Sequence, residues 1–130
     1  MAEQTLLIID PNPQSLNVME VQLRTYDYEV LTALSVERAL RILSVSPPDL
    51  IICEYALDAG ERAVDLCERL KNEVVTSTIP FMIIVEHDHQ RVECLVVAPR
   101  GAAQLTHLRS RVRSRSRPRA YARLSSAQLS

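Results

Sequence analysis

The 130-residue sequence has one lysine, two glycines, one phenylalanine and no tryptophan. Aromatics make up 4% of the chain against a hydrophobic content of 47%, so the core must be built from aliphatic side chains. The three cysteines, Cys53, Cys67 and Cys94, include no close pair, which excludes a disulfide framework and a paired-cysteine zinc motif. Cys53 in an apolar run and Cys67 on the inner side of a helical pattern read as buried free thiols. No apolar run approaches the ~20 residues of a membrane span, and Met1-Ala2-Glu3-Gln4 lacks the basic start of a signal peptide. A cytoplasmic location is the expectation. Residues 99–130 contain eight arginines and no acid, a net charge of +8. Residues 1–98 hold all 16 acids against seven bases, a net of −9. The length is that of one ordinary domain, and the charge division suggests a basic tail appended to an acidic body. Pro118 breaks any continuing helix, so one domain is expected over 1–116 and a basic tail over 117–130.

Four short apolar runs, Leu6–Ile9, Val30–Ala33, Leu50–Cys53 and Ile79–Val85, alternate with helical patterns. That alternation predicts a parallel sheet covered by helices on both faces. Asn12-Pro13 suits a helix start, since Asn caps and Pro fits the first turn, and Leu16, Met19 and Leu23 then share one face. Ser35 is the expected cap of a second helix with Ala39, Leu40 and Leu43 inward. Pro47-Pro48 ends that segment and leads into the third strand. Gly60 stands in the loop after Glu54, where positive φ is expected.

The ordered set resembles the receiver domains of two-component response regulators. Leu6-Leu7-Ile8-Ile9-Asp10 is similar to their first strand and its acidic end, and Tyr28–Ala33 to their second. Pro48-Asp49-Leu50-Ile51-Ile52 is close to their third strand. Leu66-Cys67-Glu68-Arg69-Leu70-Lys71, followed by Ile79-Pro80, is similar to the third helix and the start of the fourth strand. The resemblance implies a flavodoxin-like (CheY-like) doubly wound α/β fold, with a parallel five-stranded sheet and helices on both faces. Glu86 to Glu93 leaves room for only a shortened fourth helix, Cys94–Ala98 is then the fifth strand, and Ala102 to about Arg115 the fifth helix with Leu105, Leu108 and Val112 at helical spacing.

Departures from the family pattern fall on its chemistry. Glu54 stands at the position of the phosphoacceptor aspartate. Asp10 matches one of the two adjacent metal-binding acids, but Pro11 replaces the other. Val85 occupies the place of the hydroxyl residue after the fourth strand, and Ala98-Pro99 that of Lys-Pro after the fifth. Lys71, the chain's lysine, lies in the third helix. Forming a carboxyl phosphate needs a positioned carboxylate, a divalent ion and a cation near the product. Glutamate displaces the attacking oxygen by about a bond length, which costs about 100-fold in rate. The expectation is a protein that is not an enzyme, a phosphorylation-independent pseudo-receiver that works through protein contacts. The rival readings are a phosphoacceptor using the residual acidic pocket Asp10, Glu54 and Asp58, and a binder of nucleic acid or another polyanion through the arginines.

For Glu54 the residues leave two readings, a fixed mimic of phosphoaspartate and a carboxylate at a solvated pocket rim. Asp10, Glu54 and Asp58 are hard oxygen ligands suited to Mg²⁺, but with Pro11 in place of an acid only weak binding or none is expected, and no cofactor. His87-Asp88-His89 reads as a polar loop, because alternate histidines diverge on a strand and on a helix alike. The family resemblance implies an interaction face built by the fourth helix, fifth strand and fifth helix. Here it would present Leu95, Val97, Leu105 and Leu108 with Arg109, Arg111 and Arg113, suited to an acidic protein partner or to a homodimer.

Overall fold

The computed structural model describes residues 4–57, 60–88, 91–97 and 111–114. In chain order the elements are β1 Thr5–Ile9, α1 Pro13–Arg24, β2 Glu29–Ala33, α2 Val36–Val45, β3 Leu50–Glu54, α3 Ala63–Lys71, β4 Phe81–Asp88, β5 Arg91–Val97 and β6 Arg111–Ser114. They form one sheet of order β2-β1-β3-β4-β5-β6. The first four strands run parallel, with β1 paired to both β2 and β3, and β3 to β4. This is the flavodoxin-like core that the resemblance implies.

The alternation of a strand sends successive side chains to opposite faces, and here both faces are buried. Leu6, Ile8, Val30, Leu50, Ile52, Met82 and Ile84 pack with Leu16, Met19 and Leu23 of α1. On the other face Leu7, Ile9, Ala33, Ile51, Cys53, Phe81 and Ile83 pack with Ala39 and Leu43 of α2 and with Ala63, Leu66, Cys67 and Leu70 of α3. The helix starts follow their caps. The Asn12 side chain accepts from Gln14 N at 2.9 Å and Ser15 N at 3.4 Å, with Pro13 in the first turn. Ser35 accepts from Arg38 N at 3.2 Å and begins α2. The turn out of α1 contains Asp27 at φ 66°, a conformation that Asp tolerates better than most residues.

Beyond Val85 the chain departs from the expected pattern. The segment Glu86 to Glu93 is not a shortened fourth helix. Instead β4 continues to Asp88 and β5 begins at Arg91, antiparallel to it, with Ile83 opposite Leu95 and Phe81 opposite Val97. The reason is length. A parallel fifth strand requires a crossover of a dozen or so residues, and the two residues between Asp88 and Arg91 allow only a hairpin. β6 then pairs antiparallel with β5, placing Arg111 opposite Leu95 and Arg113 opposite Glu93. The fifth helix is therefore corrected over Arg111–Ser114, where a strand is found and where arginine alternates with Val112 and Ser114. Its earlier part, with Ala98, Leu105, Leu108 and Arg109, lies outside the described residues, as does the tail over 117–130.

Candidate functional site

The register of the sheet brings the two acids of interest together. Ile9 pairs with Cys53, so Asp10 and Glu54 follow at the C-terminal ends of adjacent parallel strands. This is the edge of an open α/β sheet where ligands collect. Asp10 is 1% exposed, and its backbone N–H donates to Ala33 O at 3.1 Å. Its carboxylate is turned into the start of α1. Oδ1 accepts from Asn12 N at 2.9 Å and Oδ2 from Ser15 Oγ at 2.6 Å. Both bonds are charge-assisted, and together they tie the end of β1 to the helix that follows. Ser15 is a participant that reading the sequence missed. The signal was Asp10 followed two residues later by a capping Asn, a spacing that favours an Asx-type turn onto the helix.

Glu54 is half-buried, with Oε2 wholly shielded from solvent. Behind it the chain closes a short loop. Tyr55 N donates to Ile84 O and Ala63 N to Tyr55 O, both at 2.8 Å, while Ala56 bridges to Arg62. Leu57, another residue the sequence did not single out, is 8% exposed and anchors the loop in the core. Gly60 takes φ 75°, as expected from its place in this turn. Asp58 lies outside the described residues.

The remaining positions carry no phosphate-handling groups. Pro11 follows Asp10 without a carboxylate. Val85 is half-buried, packs at the edge of the α2/α3 core cluster and pairs with Glu93, so the position of the expected hydroxyl is aliphatic. Lys71 is at the other end of the sheet. Its Nζ donates to Ser77 O at 3.4 Å and to Ile79 O, just before β4 begins. Burial pushes the Lys71 ammonium below its ordinary pKa, with the Cys67 thiol opposing.

Cys53 and Cys67 are free buried thiols, in agreement with the sequence. Burial, and then the charge of Glu54, raise the Cys53 pKa well above the ordinary thiol value, with smaller contributions from Cys67 and Asp10. Burial likewise pushes Cys67 up to about 11, against the opposing pull of Lys71. Both are therefore protonated and unreactive at neutral pH.

Among the described residues no group of three potential metal ligands converges. The fit of Mg²⁺ is poor on the residues present. The ion demands near-octahedral oxygen ligation, and both oxygens of Asp10 already accept hydrogen bonds, from the capping Asn12 and from Ser15. Of the expected interaction face, Leu95 and Val97 are found in β5 and Arg111 and Arg113 in β6, two antiparallel strands at one edge of the six-stranded sheet rather than a strand and a helix.

No profile of a known family matches the chain. The phosphate regulon transcriptional regulatory protein PhoB of Pseudomonas aeruginosa is 30% identical over 84 residues, covering 65% of this chain and 36% of PhoB. The chain thus spans about a third of the length of the curated relative it matches. Among solved structures, the N-terminal domain of a response regulator receiver protein from Methanoculleus marisnigri superimposes with a TM-score of 0.60 at 28% identity, over 63% of this chain and 66% of that one. A protein from Chloroflexus aurantiacus described as a response regulator gives 0.59 at 34% identity, again over 63% and 66%.

Proposed function

We propose that this chain, similar in fold and sequence to response-regulator receiver domains, is a pseudo-receiver, acting in two-component signalling by contact with another protein and without accepting a phosphoryl group. The observation that carries this reading is the engagement of Asp10. The one acid that matches the family's metal-binding pair is buried and bonded through both oxygens to Asn12 and Ser15. A divalent ion would have to displace two charge-assisted hydrogen bonds and would find Pro11 where a second acid is needed.

The electrostatics point the same way. Phosphoryl transfer is catalysed by positioning and by cations aimed at developing negative charge. Here Glu54 and Asp10 place two carboxylates side by side, and Lys71 is held at the opposite end of the sheet by backbone carbonyls. Val85 at the hydroxyl position offers no hydrogen bond to a phosphoryl oxygen. The acidic edge is a fixed structural element, and the protein's work falls to its surfaces, in the cytoplasm.

Intact-mass spectrometry after incubation with acetyl phosphate and Mg²⁺ tests this directly. No phosphate adduct is expected. A stoichiometric adduct that disappears in a Glu54→Gln variant would establish the phosphoacceptor reading instead.

A further inference from the structure

The sheet ends differently on its two sides. β2, at one edge, is flanked by α1 and α2, and its sequence Glu29-Val30-Leu31-Thr32-Ala33 contains one charge. β6, at the other edge, is joined to the sheet through β5, and no described helix makes more than marginal contact with either strand. Its residues, Arg111-Val112-Arg113-Ser114, are the described part of an alternation that runs in the sequence from Arg109 to Arg117. Alternate residues of a strand fall on one face, so Arg111 and Arg113 share a face of β6. Glu93 is opposite Arg113 in the register, whereas Arg111 is opposite Leu95. Arg111 therefore has no acid across from it on β5, and among the described residues no strand lies beyond β6.

We infer that the outer edge of β6 takes on a strand from another protein, an extended segment with acidic residues at alternate positions. The inference deepens the protein-contact reading above and rests on it. The backbone sets the class of ligand. In an antiparallel pair every second residue exchanges both of its hydrogen bonds with the neighbouring strand, and the residues between direct their N–H and C=O away from it. The outer side of β6 thus presents donors and acceptors together. An extended polypeptide backbone satisfies both. Phosphate oxygens of a nucleic acid accept only, and leave the outward carbonyls of β6 without donors. Charge then sets the sequence of the partner. Acidic residues at every second position stand across from Arg111 and Arg113 on their shared face, a pairing that stabilises adjacent strands. The same rule disfavours a second copy at this edge, because two β6 strands paired with their arginines on one face set like charges across from each other.

The test uses the full chain and a fluorescent decapeptide that alternates glutamate with threonine, followed by anisotropy at about 150 mM salt, where long-range attraction between exposed charges is screened. Binding is expected, with slowed amide hydrogen exchange over Arg111–Ser114. The same peptide N-methylated at every amide keeps its charge and loses its backbone donors, and should bind about tenfold more weakly or worse. Arg111→Glu turns one attractive cross-strand pair into a repulsive one and should weaken the unmethylated peptide about tenfold. Reversing both Arg111 and Arg113 to glutamate should transfer the preference to a decapeptide alternating lysine with threonine, and circular dichroism checks that the fold is kept. The peptide comparison on the unsubstituted chain decides the question even where a variant does not fold. Absence of binding overturns the proposal. So does equal binding of the methylated peptide or of oligothymidylate, which would show attraction by charge alone, or protection confined to other residues. The phosphate-adduct measurement is independent: no peptide binding and no adduct removes the strand addition and leaves the pseudo-receiver, whereas peptide binding by a chain that takes up phosphate does the opposite.

Discussion

The two ends of the parallel sheet carry charge for different reasons. At the C-terminal end, Asp10 and Glu54 emerge side by side from β1 and β3. At the N-terminal end, Lys71 reaches from the last turn of α3 to the carbonyls of Ser77 and Ile79 before β4. In a phosphate-handling receiver a cation and several acids must meet at one end. In this chain Lys71 is separated from Asp10 and Glu54 by the length of β4, with Asp10 bonded to Asn12 and Ser15 and Lys71 to backbone carbonyls. Asp10 holds the start of a helix; Lys71 satisfies carbonyls in the loop that follows one. Charged groups of the kinds a receiver uses for chemistry here stabilise the fold.

If that contrast is right, removing Asp10 should be a stability event first. Asp10→Ala leaves Asn12 N–H without its acceptor and Ser15 O–H with only its longer bond to Asn12 O, and a loss of about 3 kcal/mol is expected from urea denaturation. Asp10→Asn keeps one acceptor oxygen and should cost less. A metal site would behave oppositely, because neutralising a ligand in a cluster of acids relieves repulsion and stabilises the metal-free protein.

At the other end, Lys71→Met retains most of the buried stem and removes the donor to Ser77 and Ile79. The expected loss is about 2 kcal/mol, the range for hydrogen bonds from a charged group. A change within experimental error would show that the ammonium does not hold the loop and would leave the lysine available for another role.

The core between the two ends was largely legible in the sequence. Strands β1 to β4 and helices α1 to α3 are set by local signals: apolar runs of strand length, caps at Asn12 and Ser35, and helical spacing of Leu16, Met19 and Leu23. Those signals are contained within each element, so they can be read without knowing the partner strands. The orientation of β5 cannot be read that way. A run such as Cys94-Leu95-Val96-Val97 has the same composition whether it pairs parallel or antiparallel. Only the two-residue separation of Asp88 and Arg91 decides, and it depends on how far β4 runs, which no local pattern sets. At the site, the identities of Asp10, Pro11, Glu54 and Val85 were legible and their hydrogen bonds were not. The bond from Ser15 depends on a side-chain geometry that no periodicity encodes.

A smaller effect should appear with alkali. The Cys67 thiol ionises at an ordinary 9.0 when unfolded and at about 11 in the fold. The folded state holds its proton more tightly, so stability is unaffected below about pH 8 and declines as pH rises through this interval. Cys53 is shifted in the same direction for the same primary reason, burial. Allowing for partial solvent access, a loss of about 1–2 kcal/mol by pH 10.5 is expected from Cys67. Denaturation of Cys67→Ala at pH 7.5 and 10.5 should show a shallower decline than the unsubstituted chain. An equal decline would place its origin elsewhere.

The smallest effect is expected at the position that first draws attention. Glu54→Asp restores the family's acceptor residue, yet no phosphate adduct is expected by mass spectrometry. A shorter carboxylate repairs only the position of the nucleophile. It supplies neither the second acid absent at Pro11 nor a hydroxyl at Val85, and it leaves Asp10 bonded to Asn12 and Ser15. Cation stabilisation and positioning act together in phosphoryl transfer, so recovering one without the other gains little. An adduct on Glu54→Asp alone would mean that the ion-binding capacity of this edge survives, and the contrast between the two ends of the sheet would then rest on one methylene group at Glu54.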